Sequence, residues 1–145
     1  MPSTLILNEQ DVFQLSYRED DGLLHGRWLA PVLDADLRIH YGELLQEAQL
    51  VGGCRYWLLD IRRRNWHMPS FGHWANTEFV PAVRAALGSP IFVAYVMSPR
   101  HLSAAARPQD ERTRRQIQDQ ELYSESFANE AAARAWLHQQ RLAEG

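Results

Sequence analysis

The sequence predicts a single α/β domain over residues 1–145, built on a mixed, mainly parallel sheet of five to six strands. Three observations predict it. A strand–turn–strand pattern with an Asp-Gly pair opens the chain. From residue 34 onward, helical and strand periods alternate, which argues for right-handed crossovers onto a common sheet. Two later segments, 56–61 and 91–97, are apolar on both faces, as central strands of a covered parallel sheet are.

Each element has its own signal. Leu5 to Leu7 is a short apolar run and reads as a first strand. Phe13, Leu15 and Tyr17 alternate with Gln14, Ser16 and Arg18, the period of a half-buried strand. Asp20-Asp21-Gly22 follows, and an Asp-Gly pair predicts a tight type I′ hairpin turn. Leu24, Gly26 and Trp28 form one face of the return strand, which Pro31 ends. Leu37, Tyr41, Leu44, Leu45 and Ala48 make one helical stripe, with Asp34 as its expected N-cap and Gly52-Gly53 as its stop.

The segment 56–61 is then a buried strand carrying one charge, Asp60. Ser70 is the expected cap of a second helix with the stripe Phe71, Trp74, Ala75, Phe79, Ala82, Val83, Ala86 and Leu87. Pro81 lies inside that stripe and must kink or split it, because it lacks an N–H. The segment 91–97 is the second buried strand. Residues 110–120 read as a polar helix with Asp110–Arg114 and Glu111–Arg115 pairs, and 122–127 as an edge strand. Asn129 is expected to cap a last helix that turns Ala132, Ala135, Trp136 and Leu142 inward.

Composition narrows the chemistry. The net charge of −3 provides no bulk field for nucleic acid. One cysteine, Cys54, excludes an internal disulfide framework and reads as a small core residue. No phosphate loop, dinucleotide fingerprint or Cys-x-x-Cys is present, and the six histidines lack metal-ligand spacing, so no cofactor and no metal are expected. No apolar run is long enough to span a membrane and no export signal opens the chain, so the expected location is cytoplasmic. All 15 basic residues are arginine, the residue type suited to bidentate recognition of carboxylate or phosphate.

The order of elements resembles the STAS-like superfamily, which contains bacterial anti-sigma-factor antagonists and is related to CRAL-TRIO lipid-transfer domains. The residues carrying the resemblance are Tyr56-Trp57-Leu58-Leu59-Asp60, Trp74, Phe79-Val80-Pro81, the strand 91–97, Phe127-Ala128-Asn129-Glu130-Ala131 and Ala135-Trp136-Leu137. The resemblance implies a regulatory interaction module, with a phosphate-accepting serine near Ser70. Here Met68-Pro69-Ser70-Phe71 replaces the family's Asp-Ser followed by a small residue, so Ser70 is expected to be no phosphorylation switch.

Open α/β sheets place ligands beyond the C-terminal ends of their strands. The candidate ligand or partner site therefore lies just past β-strand 56–61: Asp60, Arg62, Arg64, Trp66, His67, Ser70 and Trp74. The competing basic segment, with Arg100, Arg107, Arg112, Arg114 and Arg115, lacks interleaved aromatic residues. The expected role is non-enzymatic: a cytoplasmic interaction or regulatory module, a homodimer, with an unknown protein partner or a small apolar anion as ligand. One alternative is a small-molecule binder with an apolar pocket rimmed by Trp57, Trp66 and Trp74. A weaker one is a hydrolase using Ser70 and His73, although no nucleophile elbow is present.

Overall fold

The computed structural model describes residues 4–9, 12–65, 68–105 and 121–144. Strands β1 (Thr4–Glu9), β2 (Phe13–Arg18) and β3 (Leu23–Trp28) precede helix α1 (Asp34–Leu50) and strand β4 (Tyr56–Asp60). Helix α2 (Pro69–Trp74), a π-helical turn (Ala75–Phe79) and α3 (Val80–Leu87) lead to β5 (Ile91–Val96). Helix α4 (Pro99–Ala105), strand β6 (Leu122–Phe127) and helix α5 (Glu130–Glu144) complete the described elements.

The six strands lie in the sheet in chain order. The β1–β2 and β2–β3 pairings are antiparallel, and β3–β4, β4–β5 and β5–β6 are parallel. This is the mixed, mainly parallel α/β sheet that the sequence predicts. Strands β4 and β5 are adjacent, parallel and almost wholly buried, because both of their faces are apolar and both are covered.

The two faces differ. Phe13, Leu15, Leu24, Trp28, Trp57 and Leu59 point toward α1, α2 and α3 and form the larger part of the core. Gly26 is required there by space: a Cβ on it would lie 3.1 Å from Leu59 and 3.3 Å from Leu44. The opposite face meets α5, which packs Trp136 edge-on to Phe92 and against Phe127. That helix contacts β4, β5 and β6.

Several local expectations change. The β2–β3 register pairs Arg18 with Leu23, so the hairpin loop has four residues, 19–22, and no two-residue Asp-Gly turn. Gly22 alone takes the left-handed conformation, at φ 67°, and its N–H returns to the Arg18 carbonyl. Asp34 is the first residue of α1 and makes no cap bond; its carboxylate accepts from Arg38 Nε one turn on, at 2.6 Å. Ser70 likewise caps nothing: Pro69 opens α2 and Met68 holds the N-cap position. In α5 the inward positions are Ala133 and Leu137, with Trp136 half-buried; Ala132 and Ala135 face solvent and Leu142 is 80% exposed.

Other expectations hold. Asn129 Oδ1 accepts from the Ala132 N–H at 2.8 Å and caps α5. Glycines 52 and 53, both at positive φ, follow the end of α1. Pro81 disturbs its helix without ending it: the backbone stays helical from 69 to 87, and a π-helical turn at Ala75–Phe79 directly precedes the segment that holds the proline. Cys54 is a buried core residue. Among the described residues no helix is long and apolar enough to cross a membrane. The polar segment 110–120 and its arginines lie outside the described residues.

Candidate functional site

Asp60 is the last residue of β4, and strand parity directs its side chain to the α5 face, beside Arg27 of β3. It is 4% exposed, so its charge needs partners. The chain supplies them at once. Arg62 Nε donates to Oδ1 at 3.0 Å and Nη2 to Oδ2 at 2.7 Å, a two-pronged fork. The Arg62 backbone N–H donates to Oδ1 at 3.2 Å, and Arg27 Nε stands 3.4 Å from Oδ2. Burial pushes the Asp60 carboxyl upward, but the Arg62 bonds and the two positive charges outweigh it, so the carboxyl lies below its ordinary value.

A second carboxylate extends the network. Glu130, in the first turn of α5, has Oε1 at 3.2 Å from His25 Nε2, 3.5 Å from Arg27 Nη2 and 3.9 Å from Arg134 Nη2. His25 is buried, and burial lowers its pKa to about 4 against the raising effect of Glu130; it is neutral at pH 7. His25 Nε2, Arg27 Nε, Glu130 Oε1 and Arg134 Nε are all buried without an aligned hydrogen bond.

These side chains border open space. A cleft of about 310 Å³ is lined by Arg27, Trp28, Leu29, Asp60, Arg62 and Arg63, at the C-terminal ends of β3 and β4. Arg62 and Arg63 are exposed, and no contact of Arg63 with another charged group occurs among the described residues. Three guanidinium groups and one carboxylate that is already engaged therefore line the cleft.

The next residue goes elsewhere. Arg64 is 5% exposed and lies on the other face, with its guanidinium 4.7 Å from the Trp28 ring, 5.7 Å from Tyr41 and 6.0 Å from Phe71. Arg64 Nη1 donates to the Tyr41 hydroxyl at 3.2 Å, and its Nε has no partner. Burial, Tyr41 and the phenol's hydrogen bond with it hold the proton of Tyr95 tightly, although the Arg64 charge opposes this. Trp74 stacks on Phe79 and borders Phe71, while Arg38 reaches both the Trp74 ring and the Ser70 hydroxyl.

The sequence-derived site residues thus fall into two groups. Asp60 and Arg62 meet at the cleft on the α5 face. Arg64, Ser70 and Trp74 gather on the helix-covered face. Trp66 and His67 lie outside the described residues. Ser70 and His73 are both exposed, and Asp60 is on the opposite face with its oxygens on arginines, so these three groups do not assemble a triad. Trp57 is 1% exposed and packed on Phe79, so it lines the core and rims no cleft among the described residues. Among the described residues no group of three or more His, Cys, Asp or Glu is placed to hold a metal.

Sequence reasoning missed Arg27, His25 and Glu130. The signal was present in β3: between Leu24, Gly26 and Trp28 stand His25 and Arg27, which parity sends to the other face as a polar pair. The chain matches no family model, no curated protein and no solved structure.

Proposed function

We propose that the protein is a non-enzymatic binding module that receives an anionic group, a carboxylate or a phosphate, in the cleft between the ends of β3 and β4. The observation that carries this is the lining: Arg27, Arg62 and Arg63 against the single, buried carboxylate of Asp60. Asp60 acts as a positioning residue. It holds Arg62 by Nε and Nη2, which fixes the arm and leaves Nη1 free to donate outward. Fixing a long arginine before binding lowers the entropy cost of ordering it later.

The size and polarity of the cleft suit an acidic headgroup or an acidic side chain of a partner more than an apolar body. A regulatory interaction module is the role that the STAS-like resemblance implies, and the order of strands and helices is compatible with it. A homodimer and a cytoplasmic setting belong to the same reading, and light scattering at high micromolar concentration tests the first.

The test of the site is calorimetric titration with inorganic phosphate. Saturable binding that is lost in the Arg62→Gln/Arg63→Gln double variant supports the reading. Absence of saturable binding, or binding unchanged in that variant, overturns it.

A further inference from the structure

On the same face, one strand further out, lies a second cleft of about 180 Å³, lined by Gln14, Ser16, Arg18, His25 and Arg27. Arg27 lines both clefts. The register explains how the second cleft arises. Gln14 pairs with Arg27, Ser16 with His25 and Arg18 with Leu23, so the outward parity of β2 and β3 places polar side chains side by side. Helix α5 packs mainly on β4, β5 and β6 and reaches this polar part of the face through Glu130, beside His25 and Arg27.

We infer that the second cleft is a further anion subsite, and that the ligand is an elongated small molecule with an acidic group at either end, lying across Arg27. The inference rests on the function proposed above and extends it to the second acidic group. At the junction His25 Nε2 faces Glu130 Oε1 at 3.2 Å and Arg27 Nε faces Asp60 Oδ2 at 3.4 Å, so carboxylates of the protein occupy these two nitrogens, and Arg27 Nη1 with the Arg18 guanidinium is left to meet a ligand.

The charges agree. Arg18, Arg27, Arg62 and Arg63 line the two clefts together, and Asp60 is the one carboxylate in either lining among the described residues. Two further carboxylates stand behind them: Asp21, 3.8 Å from Arg18, and Glu130, 3.5 Å from Arg27. At 3.8 Å the Arg18–Asp21 contact is at the loose end of ion pairing, so Arg18 retains donors for a second anion.

The register also sets the length. Arg18 stands opposite Leu23, four residues along β3 from Arg27. At about 3.3 Å per residue that is roughly 13 Å of strand. A single phosphate or a four-carbon diacid cannot reach from the first cleft to Arg18, whereas a longer diacid can.

The experiment compares suberate, succinate and octanoate by NMR titration of the full chain, with inorganic phosphate as the control for the first cleft. Suberate, with two carboxylates on a long chain, is expected to bind about tenfold more tightly than either, the gain of one further charge-assisted contact. Arg18→Gln is expected to remove that advantage and leave octanoate and phosphate binding unchanged, with an unaltered melting temperature showing that the hairpin still folds. Equal binding of suberate and octanoate, or a suberate advantage that survives Arg18→Gln, overturns the second subsite. If phosphate binds while suberate shows no advantage, the first cleft stands alone; if phosphate does not bind either, the proposed function itself falls.

Discussion

Arg62 and Arg64 are two residues apart and meet opposite fates. Arg62 is exposed and forked onto a carboxylate, in a charged cleft at the ends of β3 and β4. Arg64 is buried on three aromatic rings beneath α1 and α2, with one phenol as its hydrogen-bond partner and no carboxylate among the described residues. A guanidinium is weakly hydrated and tolerates an aromatic surface, so both placements are open to it. The contrast teaches that a run of identical residues is not a single patch. The sheet divides it, leaving one arm in a solvent-facing cleft and one in the core.

The largest expected effect separates those roles by stability. Arg64→Ala empties a space among Trp28, Tyr41 and Phe71 and should cost about 2–4 kcal/mol in urea denaturation, as buried truncations do. Arg64→Met fills most of that space without a charge and should lie within about 1.5 kcal/mol of the parent, or above it, because an unpaired buried charge is costly. A large loss in the Met variant would show that the charge itself holds the fold.

The next effect is a dependence on pH. His25 has a folded pKa of about 4, below its ordinary value near 6.5, so folding favours its neutral form. Its contribution is complete above about pH 6.5 and is lost as pH falls from there toward 4. Asp60 has a depressed pKa, so its contribution is present above the ordinary carboxylate value and is lost at lower pH, as the folded group is protonated. Stability measured from pH 7 to 4 should therefore fall, and His25→Gln should flatten the upper part of that fall. An unchanged slope in the variant would mean that another group titrates there.

Ser70→Ala should produce the smallest change, under about 0.5 kcal/mol. Ser70 is exposed, one residue inside α2, and offers no cap bond; its contact is a 3.3 Å bond from Arg38. A loss near 1 kcal/mol would restore the capping role that the sequence predicts.

What was legible in the sequence follows from how strongly each pattern constrains the chain. Residues 56–61 and 91–97 had one solution, because strands apolar on both faces need cover on both. Pro81 and Asn129 act through single backbone bonds and could be read directly. The phase of α5 was not legible: Ala131, Ala132, Ala133 and Ala135 are interchangeable in an apolar stripe, and only packing against the sheet selects Ala133. The site was half legible. Asp60 and Arg62 are neighbours in sequence, whereas Arg27 and Glu130 reach them only through the β3–β4 pairing and the return of α5. Chain proximity also grouped Arg64 with Arg62, although strand parity ends with the strand at Asp60 and does not say which face a loop arginine takes.

The proposed division of the arginine run puts Arg62 and Arg63 in the anion cleft and Arg64 in the core. Its most direct test is a phosphate titration followed by NMR on three proteins: the parent, Arg62→Gln/Arg63→Gln and Arg64→Met. Saturable shifts at Arg27 and Asp60 are expected in the parent and in Arg64→Met. Their loss is expected in the double variant, which should stay folded while losing about 1–3 kcal/mol of stability, because Arg62→Gln takes the forked partner from the buried Asp60 carboxylate. Binding that survives in the double variant and disappears in Arg64→Met would contradict that division.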